Sequence, residues 1–201
     1  MATAERNRVR IVGGTLRGRR LEFPLADDLR PTPDRVRETL FNWLQPMIAG
    51  ARCLDLFAGS GALAIEALSR GAAEAVALDR SATVVRRLRD TALRFGLDNL
   101  RVVQAEAAAW LQHPCPQGFD LVFLDPPFTS DLIPRVIPWL LAGGWLVPGG
   151  LVYLERDAHQ PAPPLPEALI PFKEQRAGGV DYGLWRYSSG QQDAEAGAEP
   201  L

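Results

Sequence analysis

Apolar and polar positions alternate regularly through the middle of the chain. From residue 52 to residue 155, short apolar runs are separated by longer segments in which apolar residues recur at helical spacing. The apolar runs predict strands at 53–57, 75–78, 100–103, 119–124 and 151–155. The intervening segments predict helices at 62–69, 82–95, 107–112 and about 132–141. This order is typical of a mostly parallel sheet with helices on both faces, so the sequence predicts an α/β fold.

The segments on either side of this core follow a different pattern. Residues 8–13 and 16–23 predict two short strands that form a hairpin around Gly13-Gly14. Thr32 and Pro33 are typical of a helix start, with Thr32 as the N-cap and Pro33 at the first helical position. Near the other end, 168–175 and 180–187 predict a final antiparallel pair of strands.

Length and pattern together predict three parts. With 201 residues the chain is long enough for one domain with a full core. Residues 188–201 are small, polar and acidic, and we expect them to be disordered. The predicted parts are a basic hairpin arm at 1–23, an α/β domain at 24–187 and an acidic tail at 188–201.

Charge is distributed unevenly although the formal net charge is only −2. Residues 5–20 contain six arginines and a single acid, Glu5. An arginine-rich arm is typical of a surface that binds phosphate groups. No apolar run approaches the roughly 18 residues of a membrane span, and the first ten residues, MATAERNRVR, do not resemble a signal peptide. Because Cys53 and Cys115 are too few for a disulfide framework or a zinc site, we expect a cytoplasmic protein without a metal centre.

A glycine loop connects the first sheet strand to its helix. It reads DLFAGSG from Asp55 to Gly61, and Gly59 and Gly61 allow a tight turn and the close approach of a ligand to the helix N-terminus. Open parallel sheets bind ligands at the carboxyl ends of their strands. The next strand ends at Asp79, where an acid commonly binds the hydroxyl pair of a ribose. The loop and this acid indicate a cofactor that contains a nucleoside.

Asp55 discriminates between two such cofactors. The loop also fits the loose dinucleotide fingerprint, but a carboxylate about 4 Å from a pyrophosphate costs on the order of 4 kcal/mol. S-adenosylmethionine has no phosphate and carries a sulfonium and an ammonium group, which a carboxylate attracts. Asp55 therefore favours S-adenosylmethionine over NAD, unless its side chain points away and caps backbone donors. Glu106, after the third strand, is either a contact for the adenine amine or an N-cap residue.

The strand at 119–124 ends in the sequence Asp125-Pro126-Pro127-Phe128. An exocyclic amine of a nucleobase is conjugated and a poor nucleophile, so attack on a sulfonium methyl group needs acceptors for its N–H groups. Asp125 and the carbonyl of Pro126 are suitable acceptors, and the two prolines hold that carbonyl in place. Phe128 is suited to stacking on a base that has been flipped out of its helix. These residues predict transfer of a methyl group to a base amine.

Four segments, in this order, resemble one family over about residues 10–187. They are RIVGGTLRGRRL, RPTPDRVRETLFNWL, DLFAGSGALAIEALSRGA and FLDPPF, and they are similar to the bacterial 16S ribosomal RNA guanine-N2 methyltransferases that modify guanine 966. The resemblance implies the Rossmann-like fold of class I methyltransferases, with a seven-stranded sheet and action on the small ribosomal subunit or its assembly intermediate. It implies catalytic roles for Asp125, Pro126, Pro127 and Phe128 and cofactor contacts from Thr32, Asp55, Phe57, Gly59, Gly61, Asp79 and Glu106.

The arginine arm fits the same interpretation. Arginines on the arm and at the start of the first helix are expected to contact RNA phosphates: Arg8, Arg10, Arg17, Arg19, Arg20 and Arg35. The glycines of the arm are expected to let a nucleic-acid backbone approach closely. The alternative for the arm is a solvated hairpin whose charges discourage strand pairing, and for Arg35 and Arg37 an exposed helix surface. We expect a monomer.

Three other functions stay open at this point. The nearest is an adenine-N6 methyltransferase acting on DNA or RNA, because the DPPF motif suits either amine. The others are an NAD-dependent oxidoreductase, which Asp55 disfavours, and an RNA-binding assembly factor without activity, which the intact Asp125 and glycines disfavour.

Overall fold

The computed structural model describes residues 6–24, 32–115, 117–128 and 130–190. The strands of these residues lie at Arg6–Arg10 (β1), Arg20–Pro24 (β2), Arg52–Asp55 (β3), Glu74–Asp79 (β4), Leu100–Gln104 (β5), Phe119–Leu124 (β6), Leu146–Asp157 (β7), Leu169–Ala177 (β8) and Val180–Tyr187 (β9). Their helices lie at Asp34–Leu44 (α1), Ala62–Ser69 (α2), Ala82–Phe95 (α3), Ala107–Leu111 (α4) and Leu132–Ala142 (α5). In this part of the chain, no helix is long and apolar enough to cross a membrane.

Seven of the strands form one sheet in the order β5-β4-β3-β6-β7-β9-β8. The first five strands in that order are parallel, and β9 pairs antiparallel with both β7 and β8. One apolar cluster joins the sheet to the N-terminal hairpin, α1, α2 and α3, and a second cluster covers the other face with α4 and α5. The predicted Rossmann-like α/β fold with a seven-stranded sheet and an N-terminal hairpin is confirmed.

Local sequence signals explain where the central elements begin and end. The hydroxyl of Ser81 accepts a hydrogen bond from the Val84 N–H at the start of α3, and Gly96 ends this helix in the left-handed conformation with φ 66°. Strand β7 begins five residues earlier than predicted, because Gly149 and Gly150 lie inside it. These two glycines interrupt the apolar pattern but not the strand.

The predicted N-terminal hairpin is present, but its strands end farther from Gly13-Gly14 than predicted. The connection between β1 and β2 runs from residue 11 to residue 19, and it docks on α2 instead of closing a short turn. The N–H groups of Val12 and Gly13 donate to the Glu66 carboxylate, at 2.8 and 2.7 Å. A Cβ atom on Gly14 would lie 1.8 Å from the Ser69 carbonyl oxygen, so the close approach of Gly14 is to α2.

The start of α1 also differs from the prediction. Pro33 is the N-cap residue of this helix and Asp34 its first residue, so Thr32 lies just outside it. The Thr32 hydroxyl donates to Asp125 instead of capping α1. Arg37 is fully buried, which corrects its interpretation as an exposed charge. Its guanidinium donates to the backbone carbonyls of Arg10 and Thr32, at 2.7 and 3.3 Å, and thereby joins the hairpin to the segment before α1.

Glu66 of α2 connects this helix to the hairpin and to α1. It is fully buried, pairs with Arg70 at 2.8 Å and with Arg37 at 3.7 Å, and accepts the two backbone N–H groups of the hairpin connection. We expect Glu66→Ala to lower the free energy of unfolding by about 3–5 kcal/mol, because the buried Arg37 would lose its buried counter-ion. Urea unfolding measures this change.

The matched control is Glu74, which pairs with Arg52 at 2.5 Å but has a side chain that is 44% exposed. Glu74→Ala is expected to cost about 1 kcal/mol or less, since water solvates an exposed ion pair well. Equal losses in the two variants would contradict the role assigned to Glu66.

Candidate active site

The carboxyl ends of β3 and β6 lie side by side where the strand order reverses direction. From β3 the chain builds the sheet outwards through β4 to β5, and it then returns to β6 on the opposite side of β3. Ligands of open parallel sheets bind at this switch point. Asp55 is the last residue of β3 and pairs in register with Phe123, two residues before Asp125. The fold therefore brings Asp55 and Asp125 to one edge of the sheet, as the sequence predicts.

Asp55 is a buried acid with only 2% of its surface exposed. Loss of hydration raises its pKa to about 7, and the nearby Asp79 carboxylate adds to this effect. The backbone N–H groups of Phe57 and Ala64 oppose the shift because they stabilise the ionised form. A positively charged ligand stabilises the ionised form of such a carboxyl group, because it compensates for the hydration that burial removes.

The glycine loop turns tightly around the end of β4. Gly59 and Gly61 both have positive φ angles, 50° and 75°, and Gly61 is the N-cap residue of α2. The Gly59 N–H donates to Asp79 Oδ2 at 3.0 Å, and the Ser81 N–H donates to Asp79 Oδ1 at 2.8 Å. Asp79 thus holds the glycine loop in position. Phe57, half-buried in the same loop, packs against the second apolar cluster.

Glu106 has the arrangement of an N-cap residue. It is exposed, and its Oε2 accepts a hydrogen bond from the Ala109 N–H at 2.8 Å at the start of α4. Of the two interpretations left open by the sequence, the structure shows this one. A contact between Glu106 and an adenine amine stays a prediction.

Asp125 lies directly after β6, and one of its oxygens is held in place. The Thr32 hydroxyl donates to Asp125 Oδ2 at 3.0 Å. Pro126 is buried and Pro127 exposed, and the N–H and hydroxyl of Ser130 both donate to the Pro127 carbonyl, at 2.9 and 2.7 Å. Among the described residues, none donates to the carbonyl of Pro126 or to Asp125 Oδ1.

Two residues of this site were missed in the sequence. Glu155 lies near the end of β7 with 4% of its surface exposed, and the hydroxyl of the buried Tyr153 donates to its Oε2 at 2.8 Å. An acid near the carboxyl end of an apolar strand is the signal that singled out Asp55, Asp79 and Asp125, and the same signal was present in LVYLE. The strands thus bring several acids to one edge of the sheet.

The predicted RNA-binding arginines differ in their surroundings. Arg8 and Arg10 each have an acidic partner, Glu22 at 3.8 Å and Asp34 at 3.2 Å. The guanidinium of Arg19 lies 4.8 Å from the centre of the Phe95 ring, on α3. Three further arginines are exposed and are not in a salt bridge with any described residue: Arg17, Arg20 and Arg35.

The residues of the switch point fit S-adenosylmethionine. A buried carboxyl group with a raised pKa, Asp55, lies beside a glycine loop at a helix N-terminus, so the site has a partner for positive charge next to the backbone of that loop. The strand order and this site define the class I methyltransferases that use S-adenosylmethionine as their cofactor.

Comparison with known proteins gives the family. Residues 9–186 match the family model described as "Conserved hypothetical protein 95". Ribosomal RNA small subunit methyltransferase D of Escherichia coli K12 is 43% identical over 189 residues, covering 93% of this chain and 94% of the relative. Its Haemophilus influenzae counterpart is 41% identical, covering 89% and 93%. The solved structure of the Escherichia coli protein yhhF superposes with a TM-score of 0.85 at 40% identity, over 91% of this chain and 99% of that one. The chain belongs to this family of methyltransferases.

Proposed function

We propose that this protein methylates the exocyclic N2 amine of guanine 966 in 16S ribosomal RNA. Two observations support the proposal: the Asp125-Pro126 acceptor pair at the switch point, and relatives that are ribosomal RNA small subunit methyltransferases. The proposed substrate is the RNA of the small subunit or its assembly intermediate, and the enzyme acts as a cytoplasmic monomer. The choice of guanine N2 and of position 966 rests on the resemblance of the four sequence segments.

The proposed catalytic residues act on the amine. Asp125 Oδ1 and the Pro126 carbonyl oxygen accept hydrogen bonds from the two N–H groups of the amine. These bonds place electron density on the nitrogen and stabilise the positive charge that develops there. Two consecutive prolines restrict the backbone, so the carbonyl is oriented before the base arrives. Phe128, half-buried beside this pair, stacks on the flipped base. The rest of the contribution is the placement of the amine in line with the methyl group and the sulfur.

Except for Thr32, which contacts Asp125, the proposed cofactor contacts follow β3, β4 and β5. Asp55 balances positive charge, Gly59 and Gly61 allow close approach, and Asp79 binds the ribose hydroxyls. When bound, S-adenosylmethionine supplies the methyl group, and its S–CH3 bond breaks as the N–CH3 bond forms. Thr32, Phe57 and Glu106 complete the proposed set of contacts.

The arginine arm is proposed to bind RNA phosphates, and its unpaired members are the strongest candidates. We expect the triple change of Arg17, Arg19 and Arg20 to Ala to weaken RNA binding and to reduce the slope of log affinity against log salt by about two to three. Titrations of fluorescent RNA at several salt concentrations measure both quantities.

A control removes three exposed arginines that lie outside the arm. Arg135, Arg176 and Arg186 are exposed and lie on α5, β8 and β9. Changing all three to Ala gives the same change in net charge. If the two triple variants lose affinity and salt dependence equally, the arm has no special role.

The proposed reaction is tested with methyl-labelled S-adenosylmethionine and three acceptors: unmodified small subunits, naked 16S RNA and duplex DNA. Each product is digested to nucleosides. The proposal predicts label in N2-methylguanosine from an RNA sample. Label in N6-methyladenosine would replace it with the adenine-N6 reaction, and cofactor binding without any label would favour an assembly factor.

A further inference from the structure

Helix α3 carries positive charge that the proposed chemistry does not use. It contains Arg86, Arg87, Arg89 and Arg94 but only one acid, Asp90. None of the four arginines is in a salt bridge with any residue that the structure describes. Positive charge concentrated on one helix without acidic partners is typical of a surface that binds anions.

Two of these arginines, Arg87 and Arg94, lie on the same side of α3. They are seven residues apart, which is about two turns of an α-helix, so their side chains leave one face about 10 Å apart. Arg89 leaves the helix on another side, where its Nη2 donates to the Val102 carbonyl of β5 at 3.2 Å. The α3 arginines therefore divide into a row formed by Arg87 and Arg94 and a residue that faces β5.

The ring of Phe95, at the end of α3, joins this row to the arm. The guanidinium of Arg94 lies 5.0 Å from the centre of the ring, and the guanidinium of Arg19, from the arm, lies 4.8 Å from it. The ring attracts each cation, but two positive charges held this close repel each other, and an anion bound between them relieves the repulsion. Arg19 and Arg94 thus form a junction between two basic elements.

The direction of α3 connects this junction to the active site. Strands β4 and β5 are parallel, so α3 returns the chain from the carboxyl end of β4 to the amino end of β5. The helix begins at Ala82, three residues after Asp79, and ends at Phe95. Arg87 therefore lies between the ligand edge of the sheet and Arg94. An RNA strand bound to the arm meets further positive charge in the direction of the switch point.

We propose that Arg87 and Arg94 extend the RNA-binding surface of the arm along α3, with Arg19 and Arg94 at the junction. The inference rests on the proposed action on RNA and adds a second element to the surface that holds the substrate. The contacts are with phosphate groups, so they position the RNA without reading its sequence. RNA is the occupant because the row leads from the arm towards the proposed site of methylation.

The double change of Arg87 and Arg94 to Ala tests the proposal with a fluorescent fragment of 16S RNA that contains guanine 966. The affinity should fall about three- to tenfold, and the slope of log affinity against log salt should decrease by about one to two. Changing both residues to Lys keeps the charge and should preserve the slope. Affinity for S-adenosylmethionine, measured by calorimetry, should stay within about twofold in both variants, because neither residue is a proposed cofactor contact.

The matched control is the double change of Arg89 and Arg101 to Ala, which removes two exposed arginines from α3 and β5 on the other side of the helix. The net charge changes equally, but the salt slope should stay within about 0.5 of the wild type. Equal losses in the two double variants, or an unchanged slope in the Arg87 and Arg94 variant, would overturn the inference. So would weaker binding to small subunits with full binding to the RNA fragment, which would assign the surface to a protein.

The same titrations separate this inference from the proposed function. They measure binding without methyl transfer, and the wild type is included in each series. A wild type that does not bind the RNA fragment would contradict the proposed function as well. A wild type that binds while the Arg87 and Arg94 variant binds equally would contradict this inference alone.

Discussion

Asp125→Ala is expected to reduce methyl transfer by about 10²- to 10³-fold or more, because the amine loses a charged acceptor at the point where positive charge develops. Cofactor affinity should remain within about tenfold, since in the proposed mechanism Asp125 acts on the amine and the cofactor's positive charge is balanced by Asp55. Single-turnover rates with saturating RNA measure the first quantity, and calorimetry with S-adenosylmethionine measures the second.

The control for this variant is Asp131→Ala. Asp131 follows the same loop, and its side chain is 79% exposed and 3.7 Å from Arg135. This change should leave the transfer rate within about twofold, because water already solvates the carboxylate. Near wild-type transfer by Asp125→Ala would rule out the proposed mechanism.

Asp55→Asn is expected to raise the stability of the protein at pH 8 and to weaken cofactor binding. In the folded protein the pKa of Asp55 is about 7, above its value in the unfolded chain, so folding favours the protonated form. The contribution of protonated Asp55 to the free energy of unfolding is fully present below about pH 4. It is lost as the pH rises to 7, where the loss of stability reaches about 4 kcal/mol. The asparagine variant does not ionise, and at pH 8 it should be more stable than the wild type by up to that amount.

The same variant should bind S-adenosylmethionine about 100-fold more weakly at pH 8, because its side chain no longer balances positive charge. Urea unfolding at pH 4.5 and pH 8 tests the stability part, and the gain should shrink at the lower pH. Asp98→Asn, at an exposed position, is the control and should change neither quantity. Cofactor affinity within about threefold of the wild type would contradict the role of Asp55.

Elements with strong local signals could be predicted from the sequence. Helix α3 has the predicted bounds because Ser81 caps its start and Gly96 ends it. Strand β6 ends where the Asp-Pro-Pro sequence begins. Asp55 and Asp125 could be assigned to one edge of the sheet because parallel strands that alternate with helices end on the same side.

Contacts between distant segments could not be predicted in this way. A Gly13-Gly14 pair is typical of a hairpin turn. The N–H groups of Val12 and Gly13 nevertheless donate to Glu66, which is more than fifty residues away in the chain. Threonine is typical of an N-cap position, but the Thr32 hydroxyl donates a hydrogen bond to Asp125. In both cases an acid from a distant segment, the buried Glu66 or the half-buried Asp125, binds the donor in place of the local partner, because a carboxylate removed from water needs donors.

The most direct test of the central claim is made on ribosomes. A bacterial host lacking its own copy of this gene is complemented with the wild type or with Asp125→Ala, and the 16S RNA fragment that contains guanine 966 is analysed by mass spectrometry. We predict one methyl group, on N2 of guanine 966, with the wild type, and none with the variant. Methylation of a different nucleotide, or an unmethylated guanine 966 in the presence of the folded wild-type protein, would contradict the account.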